Sequence, residues 1–350
     1  MEKRQSNFEL LRIISIMAII AFHYVFHGNL QFDGYTKNKV LADFIRMFGE
    51  LGVNCFTLIS GYFLVNGKFK VKKLISLVIE VDFYWILLNA INVAVGYANM
   101  DEMKYIISWL FPVIFNKYWF ITAYILLYLL IPYLNKLIHA LDQTEYKDMI
   151  YTLLLLFSMI PTVFALFSPN ALNNVEGFMF FNRFIWMIVV YFIGAYIRLY
   201  DIQKMNNFKK SCMSFLLSTA CLFGFIVVVN ILLKNGMELT IIPDYFWQPN
   251  SMLMACWSLS LFQVFNHLKI GYHPIINYFS KGTLGIYMLH EIVLKSWLWE
   301  RVFQNATHVN SHFFLIHVGI AVISIFLIGT LIDQIRRLIF SIPTLFVRTK

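Results

Sequence analysis

Apolar residues run through this chain in long blocks separated by short polar stretches. The blocks fall near residues 8–28, 48–66, 74–98, 118–138, 148–168, 181–199, 211–233, 250–268, 275–298 and 313–335. A helix needs about 20 mostly apolar residues to cross the hydrocarbon core of a bilayer, so each block predicts a transmembrane helix. The blocks are too long for barrel strands, and lipid admits only helices or closed barrels. The pattern therefore predicts an all-α, polytopic integral membrane protein with about ten spans. A shorter apolar piece at 105–115 predicts an interfacial or re-entrant segment. The stretches 29–47, 169–180 and 234–249 read as loops. The first block is followed by His27-Gly28-Asn29-Leu30, without a small-residue cleavage site, and reads as a retained helix. Residues 1–340 read as one membrane-embedded domain and 341–350 as a cytoplasmic tail, with no internal repeat.

Composition and charge sharpen this picture. Hydrophobic residues make up 59% of the chain and charged residues 13%, against roughly 45–50% and about 25% in soluble domains. That much apolar surface has lipid as its natural solvent. The formal net charge of +9 fits either nucleic acid or an anionic membrane surface. Lys and Arg here sit in short connections between apolar blocks and not on one soluble face, which is the membrane pattern and argues against nucleic acid. With the N-terminus inside, 17 of the 28 Lys and Arg fall in inner segments and 8 in outer ones, while Arg12, Lys281 and Lys295 fall within spans. Cytoplasmic loops carry the excess of such residues, so both termini are expected in the cytoplasm. Cys55, Cys212, Cys221 and Cys256 lie in apolar runs without ligand or CxxC spacing and read as small buried hydrophobes.

The polar groups inside the blocks carry the candidate chemistry, because ionisable groups in a membrane span are costly and point first to function. Arg12 and His23 are separated by three helical turns, so they share one face with roughly 16 Å between them along the axis. The plainer reading has Arg12 snorkelling to headgroups and His23 satisfying a nearby carbonyl. His27 follows His23 by four residues, but no carboxylate lies near in sequence to complete a metal site, and His27 reads as interfacial. Ser60-Gly61 reads as a close helix-packing point and lacks the GxSxG frame of a serine nucleophile. Lys68, Lys70, Lys72 and Lys73 fit a positive-inside signal or a phosphate cradle. Glu80 and Asp82 point in different directions on one helix and read as neutralising nearby lysines. Glu291–Lys295 and Asp333–Arg337 have the spacing of helical ion pairs. Trp119-Phe120 reads as part of an aromatic belt, and His290 is a second deep imidazole.

Four segments, in order, resemble the membrane-bound acyltransferase-3 family. Asn7-Phe8-Glu9-Leu10-Leu11-Arg12 followed by His23 is similar to the family's Arg-x10-His pattern. Cys55-Phe56-Thr57-Leu58-Ile59-Ser60-Gly61-Tyr62-Phe63-Leu64 resembles its Phe-Phe-x-x-Ser-Gly-Phe-Leu segment. Tyr118-Trp119-Phe120 resembles its Trp-Phe element, and Tyr287-Met288-Leu289-His290 its Tyr-Leu-x-His element. The resemblance covers essentially the whole chain. It implies a plasma-membrane O-acyltransferase that moves an acetyl group from cytoplasmic acetyl-CoA to a hydroxyl of a cell-envelope or exported polysaccharide. On this reading His23, Arg12 and Glu9 are catalytic, and Arg12, Lys70 and Lys73 bind the donor. Ser60, Trp119 and His290 line the reaction chamber. The partners are acyl-CoA, a glycan or lipid-linked saccharide, and membrane lipids, with no metal and no nucleic acid. Many members carry Arg-x-x-Arg where this chain has Lys70-x-x-Lys73, which keeps the charge and loses the bidentate fork. The rival is a transporter or flippase of a lipid-linked glycan, which would often show paired repeats with broken helices. A glycan polymerase or ligase would need larger outer loops than this chain has. A structural or sensory membrane protein is a further, non-enzyme reading.

Overall fold

The computed structural model describes residues 4–94, 96, 111–167, 182–200, 207–237, 246–291 and 295–347. Among these residues the regular structure is all helical. The chain builds α1 (Ser6–Phe26), α2 (Lys37–Arg46), α3 (Phe48–Leu64), α4 (Val71–Ala94) and α5 (Trp119–Ala140). It continues with α6 (Gln143–Leu154), a π-helical turn (Leu155–Met159), α7 (Ile160–Phe167), α8 (Arg183–Leu199), α9 (Phe208–Lys234) and α10 (Met252–His267). The last part holds α11 (Pro274–Phe279), a 3₁₀ turn (Ser280–Gly282), α12 (Thr283–Glu291), a π turn (Trp297–Val302) and α13 (Phe314–Val347).

Seven helical units among the described residues are long and apolar enough to cross a membrane. They are α1, α2 running into α3, α4, α5, α6 running through its π turn into α7, α9 and α13. Three further apolar blocks are also helical but shorter. Helix α8 has 17 residues and α10 has 16, each started by a polar cap. Asn182 accepts from the amides of Phe184 and Ile185, and Ser251 accepts from Met254. Such caps satisfy N–H groups that the helix itself leaves open. The block at 275–298 is broken into α11, the 3₁₀ turn and α12, with Pro274 at the helix start where its missing N–H costs nothing.

One expected loop differs. The stretch 29–47 contains α2, which forms because Thr36 accepts from the Lys39 amide at 3.2 Å and Lys39 pairs with Asp43 one turn on at 2.6 Å. Of the apolar piece at 105–115, residues 105–110 lie outside the described residues, and 111–115 form a turn. The loop at 169–180, the end of the third block beyond Ala94 apart from residue 96, and 238–245 of the stretch 234–249 also lie outside them.

Helices α9 and α13 leave Leu216, Leu217, Val228, Ile320, Ile328 and Leu331 exposed. Apolar faces of that extent belong against lipid. Helix α1 does the opposite: it lies at the centre and touches α2, α3, α10, α11, α12 and α13. Its Phe8 is sealed by Tyr62, Phe63 and Phe262, with ring centroids 4.8–5.5 Å away. Helices α3 and α8 approach until their main chains touch. A Cβ on Gly61 would strike the Tyr191 carbonyl, and one on Gly194 would strike the Leu58 carbonyl. The packing point expected at Ser60-Gly61 is therefore real, and its partner is Gly194.

At the end of the bundle where α1 begins, here called proximal, a buried carboxylate ties α13 in place. Asp333 is fully buried and accepts from the Tyr84 hydroxyl at 2.9 Å, from Arg336 Nε at 3.0 Å and from Arg337 Nε at 2.6 Å. The pair read at Asp333–Arg337 is present. Arg336 also reaches Glu80 at 2.8 Å, so Glu80 neutralises an arginine of α13 and not the lysines of its own helix. Gly285 is required here, because a Cβ would come within 2.6 Å of Asp333 Oδ1.

Candidate active site

A cavity of about 700 Å³ opens at the proximal end between α1, α3, α4, α5 and the start of α12. Its outer part is cationic: Arg4, Arg12, Lys70, Lys72, Lys73 and Lys281 line it, with Glu80 among the described acids. Its deeper part is apolar and aromatic, walled by Ile16, Ile19, Phe56, Phe120, Ile121 and Tyr287. Arg12 is held by Glu9, one turn before it, at 2.8 Å. Glu9 also pairs with Arg4 at 3.5 Å. One buried carboxylate thus orients two guanidinium groups toward the cavity mouth. Lys73 lies over the Tyr128 ring at 5.3 Å, so Lys70, Lys72 and Lys73 arrive from the α4 side while the arginines arrive from α1.

Past the aromatic end of the cavity lies a buried cluster of acid–base groups. His23 is 5% exposed and His290 1%. His290 Nδ1 contacts the Ile286 carbonyl of its own helix at 2.5 Å. A carbonyl only accepts, so this nitrogen carries the proton and the neutral ring presents Nε2 as an acceptor. His23 Nδ1 donates to it at 2.9 Å. His23 Nε2 then faces Glu291 Oε2 at 2.7 Å. Two acceptors cannot meet at that distance without a proton between them, so the His23–Glu291 contact holds one exchangeable proton. His27 Nε2 approaches the same carboxylate oxygen at 3.3 Å. Sequence spacing pairs Glu291 with Lys295, four residues on; the fold gives its carboxylate to His23 and His27 instead.

The same contacts supply the carboxylate that was missing beside His23 and His27. One potential ligand atom from each of His23, His27 and Glu291 lies within 4.8 Å of the others. In this arrangement those atoms are occupied in hydrogen bonds with one another, which suits proton transfer.

The other anticipated residues fall in different places. Ser60 lines the cavity, but its hydroxyl donates to the Phe56 carbonyl at 2.9 Å. His290 backs His23 from behind and does not line the cavity. Trp119 lies outside the cavity wall, with the Arg183 guanidinium 4.7 Å above its ring, and Arg183 pairs with Glu50 at 2.9 Å. Its neighbour Phe120 takes the place in the wall. Sequence reasoning did not place Arg4 or Lys281 in the cavity mouth, and of the four lysines read as a possible phosphate cradle Lys70, Lys72 and Lys73 line it. Lys281 sits in the 3₁₀ turn ahead of α12, and the run Ser280-Lys281-Gly282 was the available signal of a break in that span.

Residues 5–333 match the model of a family described as an acyltransferase domain, the acyltransferase-3 family. That is most of the chain, and the protein belongs to this family: it is a multi-pass membrane acyltransferase. No curated protein and no solved structure matches it.

Proposed function

We propose that this protein is an O-acetyltransferase of the plasma membrane that uses cytoplasmic acetyl-CoA to acetylate a hydroxyl of an envelope or exported polysaccharide. Both termini are in the cytoplasm on this reading, so the cavity opens to the donor. The observation that carries the proposal is the cationic, then aromatic cavity that ends beside the His23–Glu291 proton pair. Acetyl-CoA has the matching form, with anionic phosphates at one end and a thioester at the tip of a slender arm. Arg12, Lys70 and Lys73, with Arg4, Lys72 and Lys281 around them, hold the phosphates; arginine's planar fork suits them best. Glu9 keeps Arg12 in position.

The arm runs up the α1 face toward Tyr287 and His23, a rise of roughly 16 Å from Arg12 at helical geometry. There, from the state in which the His23–Glu291 contact has released its exchangeable proton, the acceptor oxygen attacks the thioester carbonyl carbon, and the acceptor's proton refills that contact as the new C–O bond forms. The tetrahedral adduct then expels sulfur with the C–S electron pair, and the pair returns the proton to the thiolate. The products are the O-acetyl ester and free CoA, and the enzyme is unchanged. General-base help of this kind is worth about 10²–10⁴ in rate. Transfer is favoured over transport because residues 5–333 match an acyltransferase domain, and a proton-sharing imidazole and carboxylate at the end of an anion-binding cavity fit that chemistry.

The test is purified protein in lipid nanodiscs with labelled acetyl-CoA and polysaccharide taken from cells lacking the protein. His23→Ala abolishes label transfer while membrane abundance stays normal. Full transfer by that variant sinks the mechanism. Mass spectrometry of the polysaccharide from cells with and without the protein identifies the acceptor through one added acetyl per modified repeat.

A further inference from the structure

Buried tyrosine hydroxyls nearly always find a hydrogen-bond partner, because an unpaired buried donor is costly. The described buried tyrosines follow that rule with one exception. Tyr24 meets His317, Tyr84 meets Asp333, Tyr118 donates to the Met288 carbonyl, Tyr146 to the Phe192 carbonyl and Tyr191 to Asn135. Tyr62 accepts from Arg198, and Tyr128 accepts from the Lys70 amide. Tyr287 is 6% exposed, and its hydroxyl has no partner.

Its place makes the exception informative. Among the described buried side chains with an unpaired polar atom, Tyr287 is the one that lines the cavity. It stands on α12 one turn before Glu291. Its ring centroid is 6.3 Å from that of His23 and 6.3 Å from that of His290. Tyr118 and Phe120, each 6.1 Å away, hold the ring from the other side. The side chain is therefore fixed at the boundary between the donor cavity and the proton pair, with its one polar atom free.

We infer that Tyr287 is a further catalytic residue, whose hydroxyl donates a hydrogen bond to the thioester carbonyl oxygen and holds the negative charge that develops there. This rests on the donor and base assignments above and adds the group that stabilises the adduct. No proton is transferred at Tyr287: the carbonyl oxygen gains electron density as the acceptor oxygen attacks, and it gives that density back when the C–S bond breaks. Removing one donor of this type typically lowers kcat by about 10²–10³. The ring, which packs against Tyr118 and Phe120, is preserved in Tyr287→Phe, so the variant removes the hydroxyl alone.

The experiment uses the full-length protein in nanodiscs with acetyl-CoA labelled at the carbonyl carbon. Infrared difference spectra report the carbonyl stretch of the bound thioester, and turnover is followed with the polysaccharide acceptor. In the parent protein the band should lie below that of free acetyl-CoA. In Tyr287→Phe it should return toward the free value, with kcat down about 100-fold and donor affinity unchanged. Replacing Tyr287 with difluorotyrosine, whose hydroxyl is more acidic, should restore most of kcat and the lowered band. A purely structural tyrosine would not follow hydroxyl acidity. An identical band in the parent and the Tyr287→Phe variant, or a kcat that barely changes, overturns the inference while His23→Ala can still uphold the base. If the parent fails to bind acetyl-CoA, or His23→Ala transfers normally, the underlying reading fails and takes this one with it.

Discussion

Replacing Glu291 by Gln tests whether the carboxylate matters as a charge or only as a shape. The amide is nearly isosteric, so α12 and the packing around His23 are kept. What is lost is the ability of the His23–Glu291 contact to hold a proton between a base and an anion at 2.7 Å. At that separation, with an effective protein dielectric of 20, the attraction between imidazolium and carboxylate is about 6 kcal/mol. Desolvation of both groups offsets most of it, and hydrogen bonds to charged groups retain about 1.5–3 kcal/mol net. If the charged pair forms as the acceptor hydroxyl loses its proton, that amount is removed from the transition state. The rate should fall roughly 10- to 150-fold in kcat. Donor affinity should not change, because Arg12 sits about 16 Å away along α1 by helical rise. Single-turnover transfer of labelled acetyl groups gives the rate, and equilibrium binding of acetyl-CoA gives the affinity. A Glu291→Gln protein that transfers at the parent rate, or one that loses donor binding in parallel, refutes the reasoning.

Other outcomes follow from the same geometry. Arg12→Ala should raise the Kd for acetyl-CoA with little effect on acceptor affinity, and donor binding by the parent should weaken as salt screens the exposed mouth of the cavity; salt-independent binding would count against a phosphate cradle. Gly61→Val should lower the thermal midpoint of the purified protein sharply, because its side chain meets the Tyr191 carbonyl; an unchanged midpoint would show that the seam yields. Treatment with a strong chelator should leave transfer intact if His23, His27 and Glu291 serve as acid–base groups. Loss of activity that zinc restores would assign a metal to them.

The architecture was legible because bilayer thickness imposes a length on each apolar block, and that length survives in the sequence. Arg12 and His23 were legible for a related reason: eleven residues on a helix return to one face, and both side chains do look inward, one on the cavity wall and one buried behind it. Glu291 was not legible as their partner. The nearest cation in sequence is Lys295, and local spacing favours that pair, whereas the contact with His23 depends on the close packing of α12 against α1 across most of the chain. The role of Glu80 was hidden in the same way, since Arg336 reaches it from the last helix. Helix α2 escaped notice because it is short and polar, and its support comes from the Thr36 cap and the Lys39–Asp43 pair and not from an apolar run. Tyr287 stood within a recognised segment, but an unpaired hydroxyl is a property of surroundings and cannot be read from spacing.

The contact between α3 and α8 decides which side of the cavity can give way. At Gly61 and Gly194 the two helices meet through main-chain atoms, and a main-chain contact has no rotamer to change. Sliding one helix past the other drives a side chain into a carbonyl, so the pair behaves as a fixed plank beneath Phe56 and Ser60. Any widening of the cavity therefore falls to the walls that α4, α5 and α12 contribute. Of these, α4 buries only a short stripe of Val81, Tyr84, Trp85 and Leu88 and is tied to α13 through Glu80–Arg336 and Tyr84–Asp333.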